Sequence, residues 1–207
     1  MEGSSLCHAL TTSFILLQLA IYMDSCLATR PIPTKTNTEY IKKSCGITMY
    51  PQLCYKSLST YANKIQTSPK LLASTALSVT LSATRSSSAM MKKLSKSQGL
   101  KPREASAMLD CVEELSDSVD ELQRSIVEMG SIIGGSNFEV QMNDILTWVS
   151  AALTDDDTCM DGFAGNAMNG NVKTIVRTHI LKVAHLTSNA LALIKNYAGA
   201  QTTPLLK

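Results

Sequence analysis

The side chains here that could do chemistry are six cysteines, three histidines and several clustered carboxylates. Cys7 and Cys26 fall within a leading segment whose apolar run, Phe14 to Ile21, is too short to cross a bilayer. Ala28 supplies a small residue at a cleavage point, so residues 1–28 are expected to be a signal peptide. Cys45, Cys54, Cys111 and Cys159 remain, an even set in a chain bound for an oxidising compartment, which predicts disulfides. Four cysteines allow three connectivities and the sequence alone selects none. The nearest-neighbour choice would close loops contributing roughly 3 and roughly 4 kcal/mol in the chain-entropy account. Zinc is disfavoured, because the spacings are not those of paired C-x-x-C ligands and the histidines sit elsewhere.

His179 and His185 stand on different faces of one predicted helix and cannot form a metal-binding i, i+4 pair. Asp155, Asp156, Asp157 and Asp161 offer hard oxygen ligands, but a calcium loop counted from Asp155 would have Met160 at its glycine position and Asn166 at its glutamate position. They read instead as a solvated acidic helix end and turn. There is no G-x-S-x-G, no phosphate-binding glycine loop, and no free cysteine to activate once two disulfides form. The expectation is a protein without metal, cofactor or catalytic site. Formal charge is only +2 and aromatic residues 5%, which argues against nucleic acid as a partner. Loss of residues 1–28 removes Glu2 and Asp24 but no base, raising the charge to +4, a mildly cationic chain.

Positioning these groups falls to helices. No segment alternates with period two, and proline and glycine lie between helical stretches, so the chain reads as all-α. Residues 29–38 read as a flexible leader and 39–204 as one domain, with a hairpin over 39–66 and a four-helix bundle over 68–199. The hairpin breaks at Tyr50-Pro51, with Cys45 before and Cys54 after. The first bundle helix is predicted from Pro69 to about Gln98, N-capped by Ser68, with a stripe of Leu72, Ala76, Val79, Ala83 and Met90 interrupted by Ser86. The second runs from Pro102 to about Met129 with the clearest period: Met108, Val112, Leu115, Val119, Leu122, Ile126 and Met129. The third opens at a capping-box pattern, Ser136-Asn137-Phe138-Glu139, carries Met142, Ile145, Val149 and Ala152, and ends near Thr154. Trp148 adjoins that stripe and reads as packing. A polar connection, 155–170, leads to the fourth helix, striped by Val176, Ile180, Val183, Thr187, Ala190, Ile194 and Tyr197. The short links between the first three helices favour antiparallel neighbours.

On the second helix Asp110, Glu113, Glu114, Asp117, Asp120 and Glu121 crowd one side, with like charges at i, i+4 that each cost a few tenths of a kcal/mol. A solvated face accounts for it; a docking surface for a basic partner is the alternative.

Cys45-Gly46-Ile47-Thr48-Met49-Tyr50-Pro51-Gln52-Leu53-Cys54, then Asp110-Cys111-Val112-Glu113-Glu114-Leu115, then Trp148 to Thr154 leading into Thr158-Cys159-Met160-Asp161-Gly162-Phe163, resemble the plant invertase and pectin methylesterase inhibitor family over essentially the whole chain after residue 28. The resemblance implies an antiparallel four-helix bundle preceded by a disulfide-linked hairpin, with disulfides Cys45–Cys54 and Cys111–Cys159. It also implies non-covalent inhibition of a cell-wall carbohydrate enzyme in the apoplast. Invertase inhibitors of this family carry a Pro-Lys-Phe element between the third and fourth cysteines, whereas here that region reads Gly135-Ser136-Asn137-Phe138-Glu139; Lys70 follows Pro69 but precedes Leu71, and in the wrong place. The run Trp148-Val149-Ser150-Ala151-Ala152-Leu153-Thr154 is more like the pectin methylesterase branch. The implied partner is pectin methylesterase, with acid invertase the alternative, and the implied contacts are Glu113, Asp117, Asp120 and Thr154; in another reading the +4 charge gives a weak, salt-sensitive electrostatic association with polyanionic pectin.

Overall fold

The computed structural model describes residues 35–165, 168 and 170–202. The expected signal peptide, residues 29–34 of the expected leader, and Asn166 of the rejected calcium loop lie outside them. All regular structure among the described residues is helical: α1 Lys35–Cys45, α2 Pro51–Leu58, a 3₁₀ turn Ser59–Tyr61, α3 Ala62–Ile65, α4 Pro69–Leu94, α5 Pro102–Ser131, α6 Phe138–Asp161 and α7 Asn171–Thr202. No helix among the described residues is long and apolar enough to cross a membrane.

Helix α1 begins inside the segment expected to be a flexible leader. The fully buried Ile41 gives it an anchor, Lys35 and Glu39 pair at i, i+4 (4.0 Å), and Lys42 and Lys43 oppose the negative end of its dipole. Pro51 opens α2, and a disulfide joins Cys45 to Cys54 across the turn. Gln66, at φ 51°, then redirects the chain into the bundle. Ser68 caps α4 by accepting a hydrogen bond from Leu71 N (3.3 Å), with Pro69 at the first helical position. The helix stops at Leu94, short of Gln98: Ser95 Oγ donates back to Lys92 O, and Lys96 and Ser97 donate in i, i+3 turns.

Helix α5 opens with Pro102, and Lys101 N donates to the nearly buried Glu104 carboxylate (3.0 Å). The capping box expected on α6 is not made; Asn137 occupies the cap position without a side-chain bond. Nor does α6 end at Thr154. Its buried positions continue through Asp156 and Cys159 in the same three-and-four spacing, and Cys159 is bonded to Cys111 on α5. The connection to α7 therefore starts at Gly162, where an added Cβ would lie 3.7 Å from the Ala107 side chain.

Each bundle helix packs on its chain neighbours, and α4 closes the square on α7. Buried side chains form one cluster under the hairpin, including Ile41, Leu58, Ile65, Leu77, Leu122, Ile145 and Ile194, and another near the α5–α6 disulfide, including Met91, Met108, Leu115 and Ile180. On α7 the predicted stripe is buried throughout. On α5 the seam alternates Met108, Cys111, Leu115, Ser118, Leu122, Ser125 and Met129, while Val112, Val119 and Ile126 flank it half-buried. On α4 Leu72 and Ala76 of the predicted stripe are buried and Val79 and Ala83 are half-buried, but the inward face is wider and turned toward Ala73, Leu77, Thr80, Thr84, Ser87 and Met91, and Met90 is exposed. The small hydroxyl residues fill that closely approached interface, with Thr80 and Thr84 donating to their own helix carbonyls at i−4.

Candidate docking face and its buried carboxyls

Glu113, Asp117 and Asp120 recur at i, i+4 and i+7 along α5, so they share one face, and all three are exposed. Thr154 is exposed on α6, its hydroxyl donating to Ser150 O (3.1 Å). The Cys111–Cys159 bond and a hydrogen bond from Ser118 Oγ to Asp156 Oδ1 (3.2 Å) fix the register of the two helices. That register brings Thr154 to the level of the acidic stretch.

Helix α6 adds carboxylates to the face. Half-buried Asp155 has its pKa pushed up to about 7, by burial first and then by Glu121, Glu114 and Asp117. Glu121 is also pushed up by burial, with Asp117 adding to the rise and Arg124 opposing it. Glu121 Oε2 and Asp155 Oδ2 are both buried without a hydrogen-bond partner among the described residues. Burial and the carboxylates of Glu121, Glu114 and Asp117 together favour the neutral form of Asp155.

One residue further on, Asp156 has no solvent exposure, against the expectation of a solvated acidic turn. Its place in the α6 seam, four residues after Ala152, forces it inward between α5 and α7. Thr187 Oγ1 lies 2.9 Å from Asp156 Oδ2 and 3.0 Å from Val183 O. A hydroxyl has one proton. When it goes to the Val183 carbonyl, the other contact needs a proton on Asp156, and burial pushes that group to about 7 despite the hydroxyls of Thr187 and Ser118. The signal that could have found Asp156 was the unbroken three-and-four spacing of α6.

The histidines are not brought together. His185 stacks on Tyr50 of the hairpin turn, with ring centroids 3.5 Å apart, and burial holds its pKa below the usual value against the pull of Asp157. Beside it the buried Asn189 accepts from Tyr50 N and donates to Tyr50 O, both at 3.0 Å. Lys70 Nζ donates to Ile132 O (2.6 Å), tying the start of α4 to the end of α5. Trp148 is half-buried on α6.

The geometry defines a disulfide-braced bundle of four helices, with a helical hairpin latched to its last helix and an acidic face on α5 and α6. The family is shown by comparison: residues 39–193 match the family described as plant invertase/pectin methylesterase inhibitor, and the chain belongs to it. It is 52% identical over 169 residues to pectinesterase inhibitor 10 of Arabidopsis thaliana, covering 81% of this chain and 54% of that protein. It is 46% identical over 192 residues to pectinesterase inhibitor 11 of the same plant, covering 91% and 95%. The crystal structure of a mutant form of a pectin methylesterase inhibitor from Arabidopsis superimposes with a TM-score of 0.61 at 22% identity, covering 75% of this chain and 95% of that one. This last likeness is one of fold.

Proposed function

We propose that the chain is secreted after loss of residues 1–28 and inhibits pectin methylesterase in a one-to-one, non-covalent complex. In this reading α5 and α6 lie over the cleft that takes the polymer, and the protein needs no chemistry of its own. The observation that carries the reading is the exposed row Glu113, Asp117 and Asp120 on α5, kept on the surface although its like charges repel, with Thr154 exposed on the neighbouring α6. Two relatives that this chain matches over most of its length are named pectinesterase inhibitors, which favours the esterase over an acid invertase as target.

The test adds purified protein, disulfides intact, to plant pectin methylesterase and to acid invertase, following methanol release and sucrose hydrolysis near wall pH. Loss of esterase activity alone is expected; loss of invertase activity alone would move the assignment to that enzyme. Asp117→Ala with Asp120→Ala should weaken inhibition at least tenfold, chiefly through slower association at low salt. Undiminished inhibition by that variant would place the contact surface elsewhere.

A further inference from the structure

A groove opens on the side away from the acidic face. It has a volume of about 410 Å³ and lies between the hairpin, α4 and α7, with no lining residue from α5 or α6. That volume falls within the roughly 300–1,000 Å³ typical of small-molecule sites. Its chemistry is uneven in an informative way. Ser78 and Ser82, one turn apart on α4, line its wall, and Tyr61 stands exposed at 43% on the hairpin side. Lys64 comes from the hairpin and Lys182 from α7. Both are exposed, neither has an acidic partner among the described residues, and no Asp or Glu lines the groove.

A second observation points to a ligand. Thr75 also lines the groove, is 1% exposed, and its Oγ1 has no hydrogen-bond partner among the described residues. The neighbouring serines do not have this problem: Ser74 and Ser78 donate to carbonyls of their own helix. A buried hydroxyl left unpaired costs about 1–3 kcal/mol, so the lining of this groove carries an unmet hydrogen-bonding need.

We propose that the groove binds a short anionic oligosaccharide, a run of linked uronic acids. Hydroxyls on the wall exchange hydrogen bonds with sugar hydroxyls, the Tyr61 ring offers an apolar surface to a sugar face, and Lys64 and Lys182 pair with carboxylates along the chain. A simple inorganic anion would use the two ammonium groups and leave the hydroxyl wall and the tyrosine idle. The site does not depend on the esterase complex, because it shares no residue with the proposed docking face.

The test titrates the isotopically labelled protein, both disulfides formed, with a short linear α-1,4-oligogalacturonide. Its fully methyl-esterified form and polyacrylate serve as controls, with binding followed by amide chemical shifts. Saturable shifts confined to the residues around Tyr61, Lys64, Thr75, Ser78 and Lys182 are expected, with at least tenfold weaker binding of the esterified form. Lys64→Gln with Lys182→Gln should weaken binding at least tenfold, and Thr75→Val should weaken it about threefold without lowering thermal stability. Equal binding by the double lysine variant, equal binding of polyacrylate, or shifts scattered over the surface would overturn the proposal. Esterase inhibition separates this site from the docking face: the lysine variant should inhibit normally, and Asp117→Ala with Asp120→Ala should bind the sugar normally.

Discussion

Because the Asp156 carboxyl has no solvent contact and its side-chain partners are two hydroxyls, ionising it puts a charge among α5, α6 and α7 with little to solvate it. Its proton affinity is raised from an ordinary 3.8 to about 7, so between those values the folded chain binds more protons than the unfolded one. The stability this group contributes is complete below 3.8 and lost as pH rises through about 7. Asp155, raised to about 7, and Glu121, also raised, act in the same direction. His185 opposes them, since its lowered affinity favours folding above 6.5 and costs stability below. The carboxyls outnumber it. Melting temperature should therefore fall by about 5 °C from pH 5 to pH 8, most of it from Asp156, because Asp155 and Glu121 are only partly buried and solvent screens their effect. In Asp156→Asn the amide reproduces the neutral carboxyl, one oxygen to accept from Ser118 and an N–H for Thr187, so the fall should shrink by half or more. A calorimetric pH series on both proteins checks this; parallel curves would mean that Asp156 is not the group that titrates. The carboxylate was visible in the sequence, but taking α6 to end at Thr154 left it on a turn, where it read as solvated.

Helices long enough to repeat their spacing several times were legible; their ends and their rotation were less so. The α7 stripe is buried as its spacing predicts because every position in it but Thr187 is apolar or aromatic. Along α4 the predicted stripe already contained small residues, and its Leu72 and Ala76 are buried, but the interface also takes in Ala73, Thr80, Thr84 and Ser87, three of them hydroxyl residues that a reading of apolar spacing passes over. Hydrogen bonds across great sequence distance left no trace at all in local pattern, and the latch between hairpin and α7 is the clearest of these. Asn189 satisfies both backbone groups of Tyr50, 139 residues away. Asn189→Ala should cost about 1–3 kcal/mol, because Tyr50 loses both partners in a partly buried place. The loss should show as faster amide exchange in α1 and α2 while α5 and α6 keep their protection. Uniform acceleration across all helices would show that hairpin and bundle unfold together.

At the scale of the whole molecule, the two proposed surfaces occupy opposite pairs of helices, α5 with α6 and α4 with α7, so partner and polymer would not compete for residues. The fold class and the four-helix arrangement were readable because amphipathic helices with short links have few ways to bury their stripes. The groove was not readable, since its residues come from the hairpin, α4 and α7 and converge only when the chain closes on itself. That closure has a consequence for biogenesis. The Cys45–Cys54 loop spans 9 residues and the Cys111–Cys159 loop 48, and both lie wholly before α7, the helix that covers α4 and the hairpin. If the chain is secreted as proposed and emerges N-terminus first into an oxidising compartment, each cysteine would meet its partner before the final helix arrives, and the order of emergence would itself select the pairing. Tethered nascent chains exposed only through residue 165 should already carry both native disulfides by thiol mapping, while mixed pairings at that length would assign the selection to α7.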